Sequence, residues 1–214
     1  MNKNILKKVF AIVLMLVIIF QAYFISEKVM ATGVSQPDNV IVTLTVDEGI
    51  TISDGANVTM VPNIGVASNG SIGSSSWIVR TNSTAGYTLA VKASTAPALK
   101  SGTNAFEDYT ETVGGTPDLW SVPAGSKEFG YSAYGTDTPT ATWGTSASCG
   151  AAGLPAVAQK YVGFSTSDKI IATRNTVTAT TGVTTNICFA AEQDTIYAAS
   201  GVYTATITAT ATTL

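Results

Sequence analysis

After residue 31 the chain alternates polar and apolar residues, and this period of two constrains its fold more than any other feature. The last fourteen residues, GVYTATITATATTL, show it most clearly. Between positions 202 and 212 the threonines occupy the even positions, and the odd positions hold Tyr203, Ala205, Ile207, Ala209 and Ala211. Such alternation indicates a half-buried strand, and a slip of one residue would bury its threonines. We therefore expect this strand to close the fold beside the first strand, with its odd positions on the core.

The same alternation recurs along the chain and predicts ten to twelve short strands. Clear cases are NVIVTLTV at 39–46, SSWIVRTN at 75–82, GYTLAVKA at 86–93 and TTNICFAAE at 184–192. Weaker strand signals are ANVTMV, KEFGYSAYG, QKYVGFS, KIIATRN and NTVTAT. Strands this short, separated by turn signals, predict an all-β fold: an antiparallel β-sandwich with Ig-like or Greek-key/jelly-roll connections. The scarcity of helical periodicity argues against a doubly wound α/β fold.

Three further segments carry local predictions. The Gly-rich stretch SNGSIGSSS at 68–76 is interpreted as a loop. It is not interpreted as a phosphate-binding turn, because a strand and not a helix follows it. TNSTAG at 81–86 predicts a hairpin turn that ends in Gly86. Residues 98–100 are expected to form a short helical turn.

The first 31 residues have the order of a secretory signal peptide. Lysines at positions 3, 7 and 8 precede an unbroken apolar run from Val9 to Phe20, and Val29-Met30-Ala31 supplies small or tolerated residues at the cleavage positions. We expect cleavage after Ala31, which leaves residues 32–214 as a single domain. The alternative is an uncleaved anchor, since 17 residues from Val9 to Ile25 lie at the lower limit for crossing a bilayer.

The charge balance excludes some partners. The chain has 11 basic and 14 acidic residues, and the first 31 residues hold four of the basic and one of the acidic ones, so the exported part has a net charge of −6. Its basic residues are not clustered. Nucleic acid and anionic membrane surfaces are therefore poor partners, and membrane contact is expected only through the N-terminal segment.

Cys149 and Cys188 are the only cysteines, and both lie in the exported part. In an oxidising compartment we expect them to form a disulfide, with free thiols as the alternative. If Ile187 and Phe189 face the core, Cys188 points to the opposite side, towards a covering loop. The Thr/Gly/Ser/Pro-rich stretch 136–155 is interpreted as that loop.

The sequence offers little for catalysis, and we expect no enzyme. It contains no histidine, which excludes a Ser-His-Asp triad. Paired carboxylates remain as an option, from Glu107, Asp108, Glu111, Asp118, Glu192 and Asp194. The same acidic residues at 107, 108 and 111, or Asp47, Glu48 and Asp54, are candidate calcium ligands; no other cofactor is expected.

A sugar-binding face is a further alternative. The irregular middle of the chain concentrates Trp120, Tyr131, Tyr134 and Trp143. Flat aromatic side chains next to polar residues stack well on sugar rings. The competing interpretation places Trp120 in the core and lets Trp143 fix its loop.

Two stretches together resemble the WxL domain of bacterial cell-surface proteins. SSWIVRTNSTAGYTLAV at 75–91 has a Trp-x-aliphatic start, and SGVYTATITATATTL at 200–214 has the Gly-x-Tyr-x-Ala-x-Ile lead of the C-terminal motif. Two positions depart from the pattern: Val79 replaces the leucine of the first motif, and Ala209 stands where the second tryptophan would be. The resemblance implies a secreted β-sandwich held non-covalently on the cell wall.

The final strand is also similar to the end of chaperone–usher pilins and spore-coat-type proteins. In pilins an N-terminal donor strand completes a neighbouring subunit, and residues 39–46 are a candidate donor or an ordinary first strand. The leading expectation is a non-catalytic, exported structural or adhesive module at the cell surface. Its expected partners are a cell-wall polymer, other surface proteins or copies of itself.

Overall fold

The structure is a computed structural model that describes residues 3–26 and 38–214. It divides into two units, Met1–Thr45 and Val46–Leu214, which are described separately. The first contains helix α1, Lys3–Ser26. The second contains thirteen strands and one short helix, namely β1 Ile50–Ile52, β2 Gly70–Thr81, β3 Tyr87–Ala93, β4 Leu99–Ser101, β5 Asn104–Asp108, β6 Asp118–Leu119, β7 Lys127–Gly135, α2 Thr140–Trp143, β8 Gly150–Ala151, β9 Leu154–Pro155, β10 Lys160–Gly163, β11 Lys169–Arg174, β12 Val183–Gln193 and β13 Ile207–Thr213.

Two main sheets form the second unit. The larger one has the order β1-β2-β12-β7-β10-β6, with β5 beside β7 and β4 beside β5. The smaller one has the order β11-β3-β13, and β8 pairs with β9. Every pairing is antiparallel except that of β5 with β7. The predicted all-β antiparallel sandwich is therefore confirmed.

Alternation places one face of each long strand in a common core. On β3, Tyr87, Leu89 and Val91 are buried while the residues between them are partly exposed. Trp77 and Val79 of β2 belong to the same core, as predicted. The other members from the larger sheet include Phe129, Tyr131, Ala133, Ile187 and Phe189. Burial of this many apolar side chains is the main stabilisation of the sandwich.

A second, smaller cluster lies on the opposite face of β12. Cys188 alternates with Ile187 and Phe189, so its side chain leaves the main core and joins Tyr109 and Tyr161. Cys188 forms the predicted disulfide with Cys149, with their Cα atoms 5.3 Å apart. The bridge attaches residues 136–155 to the outer face of the larger sheet.

Residues 136–155 contain more regular structure than the loop we predicted. Helix α2 and the β8–β9 pair lie within this stretch. Trp143, at the end of α2, is only 1% exposed and is one of the largest fully buried side chains. The helical turn and the disulfide together hold the stretch against the sheet.

Three strand predictions are wrong. Residues 39–46 and 56–61 form no strand, apart from a single bridge between Val61 and Ile72. Residues 175–180 form none either. Alternation creates the capacity to pair, but a strand forms only where a neighbouring edge accepts its hydrogen bonds.

Two segments that we predicted as a loop and as a helical turn form strands instead. Most of the Gly-rich stretch 68–76 belongs to β2, where Gly70 to Ser76 lie opposite Glu192 to Asn186. Val58 and Met60 lie where a side chain at Gly73 would be, so the absence of a side chain makes room for them. Residues 99–101 form β4 and not a helical turn, because β5 pairs with them.

The turn at 81–86 is not a hairpin. It connects β2 of the larger sheet to β3 of the smaller one, and the two strands do not pair with each other. Gly86 has φ = +89°, and a Cβ atom there would collide with the carbonyl oxygen of Arg174. The last strand also differs from prediction: β13 begins at Ile207 and pairs with β3, not with the first strand.

In the first unit, α1 is apolar over most of its length. Residues Lys3–Tyr23 form a helix long and apolar enough to cross a membrane, by length and composition. A signal sequence and an anchor both meet this criterion, so the structure supports the apolar helix and leaves its cleavage as a prediction.

Candidate functional site

The acidic residues at 107–111 do not converge on one point. The two carboxylate oxygens of Glu111 accept hydrogen bonds from the backbone N–H groups of Gly163, at 2.6 Å, and Gly115, at 3.1 Å. Asp108 accepts one from the N–H of Ala98, while Glu107 is exposed. Within residues 3–26 and 38–214 no group of three metal-ligating side chains is arranged to hold an ion. The carboxylates therefore organise loops in this structure.

Two nearby carboxylates, Glu128 and Asp118, are also engaged individually. Burial, together with the charge of Glu111 and then Asp118, raises the pKa of Glu128, although the N–H of Thr110 opposes this. Burial would raise the pKa of Asp118 as well, but hydrogen bonds from the N–H of Thr112 and the hydroxyl of Tyr109 outweigh it and lower that pKa. These shifts follow from loop packing and do not single out an acid–base pair.

Glu192 makes a side-chain contact of its own. Its carboxylate accepts a hydrogen bond from the indole N–H of Trp120 at 2.6 Å. The Trp120 ring stacks on Tyr109 with ring centroids 4.6 Å apart.

The four aromatic candidates for sugar binding are divided between two places. Tyr131 and Trp143 are buried in the main core, with ring centroids 5.7 Å apart. Trp120 and Tyr134 are partly buried and pack against the outer-face cluster around Cys188. The sequence could not separate these environments, because an aromatic residue in an irregular stretch suits either. The structure shows no single exposed platform built from all four.

β13 is one of the two edge strands of the smaller sheet. Among the described residues β13 pairs with β3 alone, in the register Ala209 opposite Val91. The N–H of Ser94 donates to the carbonyl of Thr206, and the N–H of Leu214 donates to that of Gly86. Both contacts place the even-numbered backbone groups of β13 on the β3 side, since an antiparallel ladder alternates.

The odd-numbered backbone groups of β13 therefore point to its unpaired edge. These are the N–H and C=O groups of Ile207, Ala209, Ala211 and Thr213. The edge contains neither a charged residue nor a proline, the usual protections against further pairing.

Several apolar residues on β13 and in residues 50–64 are only partly buried. Ile207, Ala209 and Ala211 pack against the main core but retain some exposure. β1 of the larger sheet approaches β13, and its Ile50 is likewise partly buried. Val58, Met60 and Ile64, in the segment between β1 and β2, also pack against the main core. We call this set, with the odd positions of β13, the seam.

The sequence did not predict that residues between 50 and 64 belong to the seam. Ile50, Val58 and Met60 lie in 50–64, which has one short strand and one isolated bridge. Their apolar character was visible, but only the structure shows that they pack against the main core.

Residues 39–46 are apolar at every second position and exposed in the described structure. The exposed fractions are 81% for Val40, 88% for Val42, 84% for Leu44 and 74% for Val46. A row of four exposed aliphatic side chains is unfavourable in water.

Comparison of the chain with protein-family models, with curated proteins and with solved structures found no match.

Proposed function

We propose that the chain is an exported bacterial structural or adhesive module that acts at the cell surface without catalysis and associates with the cell wall. The observation that carries this proposal is the combination of an apolar N-terminal helix with a disulfide-linked β-sandwich. The helix directs the chain to or through a membrane. The disulfide is typical of proteins that fold outside the reducing cytoplasm.

The sandwich suits a structural role. Its long strands are held in two sheets around a continuous core, and the disulfide attaches the most irregular stretch to the larger sheet. The surface of β13 is a row of threonines, which favour β structure and remain hydrated. Such a surface is suited to contact with polymers and neighbouring proteins.

Export is tested by the redox state of the disulfide. The full chain is expressed in a bacterial host, and free thiols are alkylated with a reagent that shifts mobility on a gel. Leu14→Asp places a charge in the apolar run, which costs about 3 kcal/mol in a membrane-spanning helix. We expect the parent chain to be oxidised and Leu14→Asp to be reduced and cytoplasmic. Gln21→Asp, at an already polar position, is the matched control and should stay oxidised.

Wall association is tested with isolated peptidoglycan sacculi. The purified full chain, kept soluble with mild detergent, should co-sediment with sacculi and be displaced by soluble wall fragments. A chain that stays wholly in the supernatant would contradict wall association. Equal oxidation of Leu14→Asp and Gln21→Asp would contradict export.

A further inference from the structure

We propose that residues 109–120 act as a pH-responsive lid on the outer face of the larger sheet, closed at mildly acidic pH and opened as the pH rises, with Glu128 as the proton-binding group. We call these residues, which include β6, the acidic loop. The inference concerns a conformational response of the sandwich itself, so it depends on neither export nor wall association.

Three glutamates form one row across the larger sheet. Glu128 of β7 lies opposite Glu192 of β12, and on its other side it pairs with Glu107 of β5. Residues opposite each other on paired strands point to the same face, and Phe129, the next residue on β7, belongs to the main core. The row therefore lies on the outer face. Like charges at opposite positions repel each other, so full ionisation of the row is unfavourable.

The middle member of the row, Glu128, is buried without a cation. It is 5% exposed, and its carboxylate accepts a hydrogen bond from the N–H of Thr110 at 3.4 Å, a long distance for such a bond. Residues 3–26 and 38–214 contain two ion pairs, and neither of them includes Glu128. A buried carboxyl group that lacks a cation is favoured in its neutral form.

Among the described residues, the titratable side chains that face Glu128 supply no positive charge. They are Glu192 from β12, Glu107 from β5, and Tyr109, Glu111 and Asp118 from the acidic loop. Lys127, the neighbour of Glu128 on β7, lies opposite Gln193 and points to the other face. Burial, and then the negative charges of Glu111 and Asp118, raises the pKa of Glu128, in agreement with this arrangement.

The acidic loop is attached to the row of glutamates at both ends. Near its start the N–H of Thr110 bonds Glu128, and at its end the indole N–H of Trp120 bonds Glu192 at 2.6 Å. Tyr109 stacks on Trp120 and so joins the two ends. Because Glu128 is almost fully buried, hydration of its ionised carboxylate requires the loop to move. Ionisation of Glu128 therefore favours the open arrangement.

Asp118 gives the acidic loop the opposite response at lower pH. Burial would raise its pKa, but hydrogen bonds from the N–H of Thr112 and the hydroxyl of Tyr109 outweigh it and lower that pKa. The contribution of Asp118 to closure is therefore complete above pH 3.8 and is lost as the pH falls through the folded-state pKa. The contribution of Glu128 is complete below pH 4.5 and is lost as the pH rises through its own raised pKa. Closure is strongest between these two pH values and weakens on both sides.

The first test measures amide hydrogen exchange in the oxidised, detergent-solubilised full chain. The bonded N–H groups of Thr110, Thr112 and Gly115 report closure of the acidic loop, and those of β3 report global unfolding. After correction for the intrinsic pH dependence of exchange, protection of the loop should fall above pH 4.5 by up to about tenfold per pH unit, the limit for one proton. Protection of β3 should not follow the same curve.

Two matched substitutions assign the response to Glu128. Glu128→Gln keeps the shape of the side chain but cannot ionise, so protection of the acidic loop should no longer fall between pH 4.5 and neutrality. Glu107→Gln removes the exposed carboxylate of the same row and should retain the fall. The carboxyl NMR signal of Glu128, identified by its loss in Glu128→Gln, should titrate above pH 4.5 together with the loss of protection.

Four results would overturn the proposal. The first is protection of the acidic loop that stays constant between pH 4.5 and neutrality, and the second is titration of Glu128 at or below pH 4.5. The third is a fall in protection that Glu128→Gln leaves unchanged or that Glu107→Gln abolishes equally. The fourth is the same pH dependence in β3, which would assign the response to global unfolding.

Discussion

Removal of the Cys149–Cys188 disulfide should destabilise the sandwich by an amount that its position predicts. The bridge closes a loop between residues 39 apart. The chain-entropy relation for a loop of this size gives about 4 kcal/mol of lost stability at 25 °C. Cys188 is fully buried in the middle of β12, so a substitution there also changes packing. The perturbation must therefore separate the lost cross-link from the lost sulfur atoms.

We expect two preparations to lose the same amount of stability from the missing cross-link. The first is Cys149→Ala/Cys188→Ala, and the second is the parent chain held reduced, which loses the cross-link but keeps both sulfur atoms. Urea unfolding should show a decrease of about 4 kcal/mol in both, with the excess in the double variant reporting the packing of Cys188. Limited proteolysis should cut first within 136–155, the stretch that the bridge attaches to the sheet.

The result that would refute this reasoning is a decrease of less than about 1 kcal/mol in the reduced parent chain. That outcome would mean that the reduced, unfolded chain retains structure that already restricts the segment between Cys149 and Cys188. A large decrease in the double variant alone would assign the effect to packing at Cys188.

Three further perturbations test single features by denaturant unfolding. Gly86→Ala should cost on the order of 3 kcal/mol of stability or more, because its Cβ would meet the carbonyl of Arg174 at a positive φ. The control Gly102→Ala, with φ of +60° and no neighbour within 4 Å, should cost about 1 kcal/mol. Equal losses of stability in the two variants would contradict the collision. Arg174→Leu leaves the largely buried carboxylate of Asp137 without its ion pair at 3.1 Å and should cost about 1–3 kcal/mol, so a neutral result would refute that pairing. Burial raises the pKa of Glu128 above its usual value, so its contribution to stability is fully present below pH 4.5 and is lost as the pH rises through the folded-state pKa. Glu128→Gln should therefore be more stable than the parent chain at pH 7, and its stability should depend less on pH. An unchanged pH profile of stability would contradict this expectation.

Much of the sandwich could be predicted because the alternation of apolar and polar residues along each long strand shows which face is buried. Leu89 alternates with polar neighbours, and burial of that face follows wherever β3 pairs. The exit of Cys188 to the opposite face of β12 follows from the same period, and the disulfide confirms it. Sheet membership is different, because two strands joined by a short turn can pair with each other or belong to opposite sheets. The turn before Gly86 connects two sheets, and its sequence also suits a hairpin.

Strands that depend on their partners were missed for a physical reason. Residues 70–76 are mostly Gly and Ser, with weak intrinsic strand preference, yet they pair along β12 over their whole length. Their small size is required where Val58 and Met60 cover Gly73. The aromatic candidates failed as a group for a related reason: Trp143 lies in a polar stretch, and only the helical turn before it and the neighbouring sheet place it in the core.

Residues 39–46 and β13 show why alternation alone does not decide which strands form. Both segments have a period of two and carry no charge between 39 and 46 or between 207 and 213. β13 finds a partner in β3, whereas the described structure gives residues 39–46 none. The free energy that orders a strand comes from hydrogen bonds to an adjacent edge and from burial of its apolar face, and a segment that lacks an edge receives neither. Alternation of polar and apolar residues therefore gives a segment the capacity to pair, and the neighbouring edge decides whether it forms a strand.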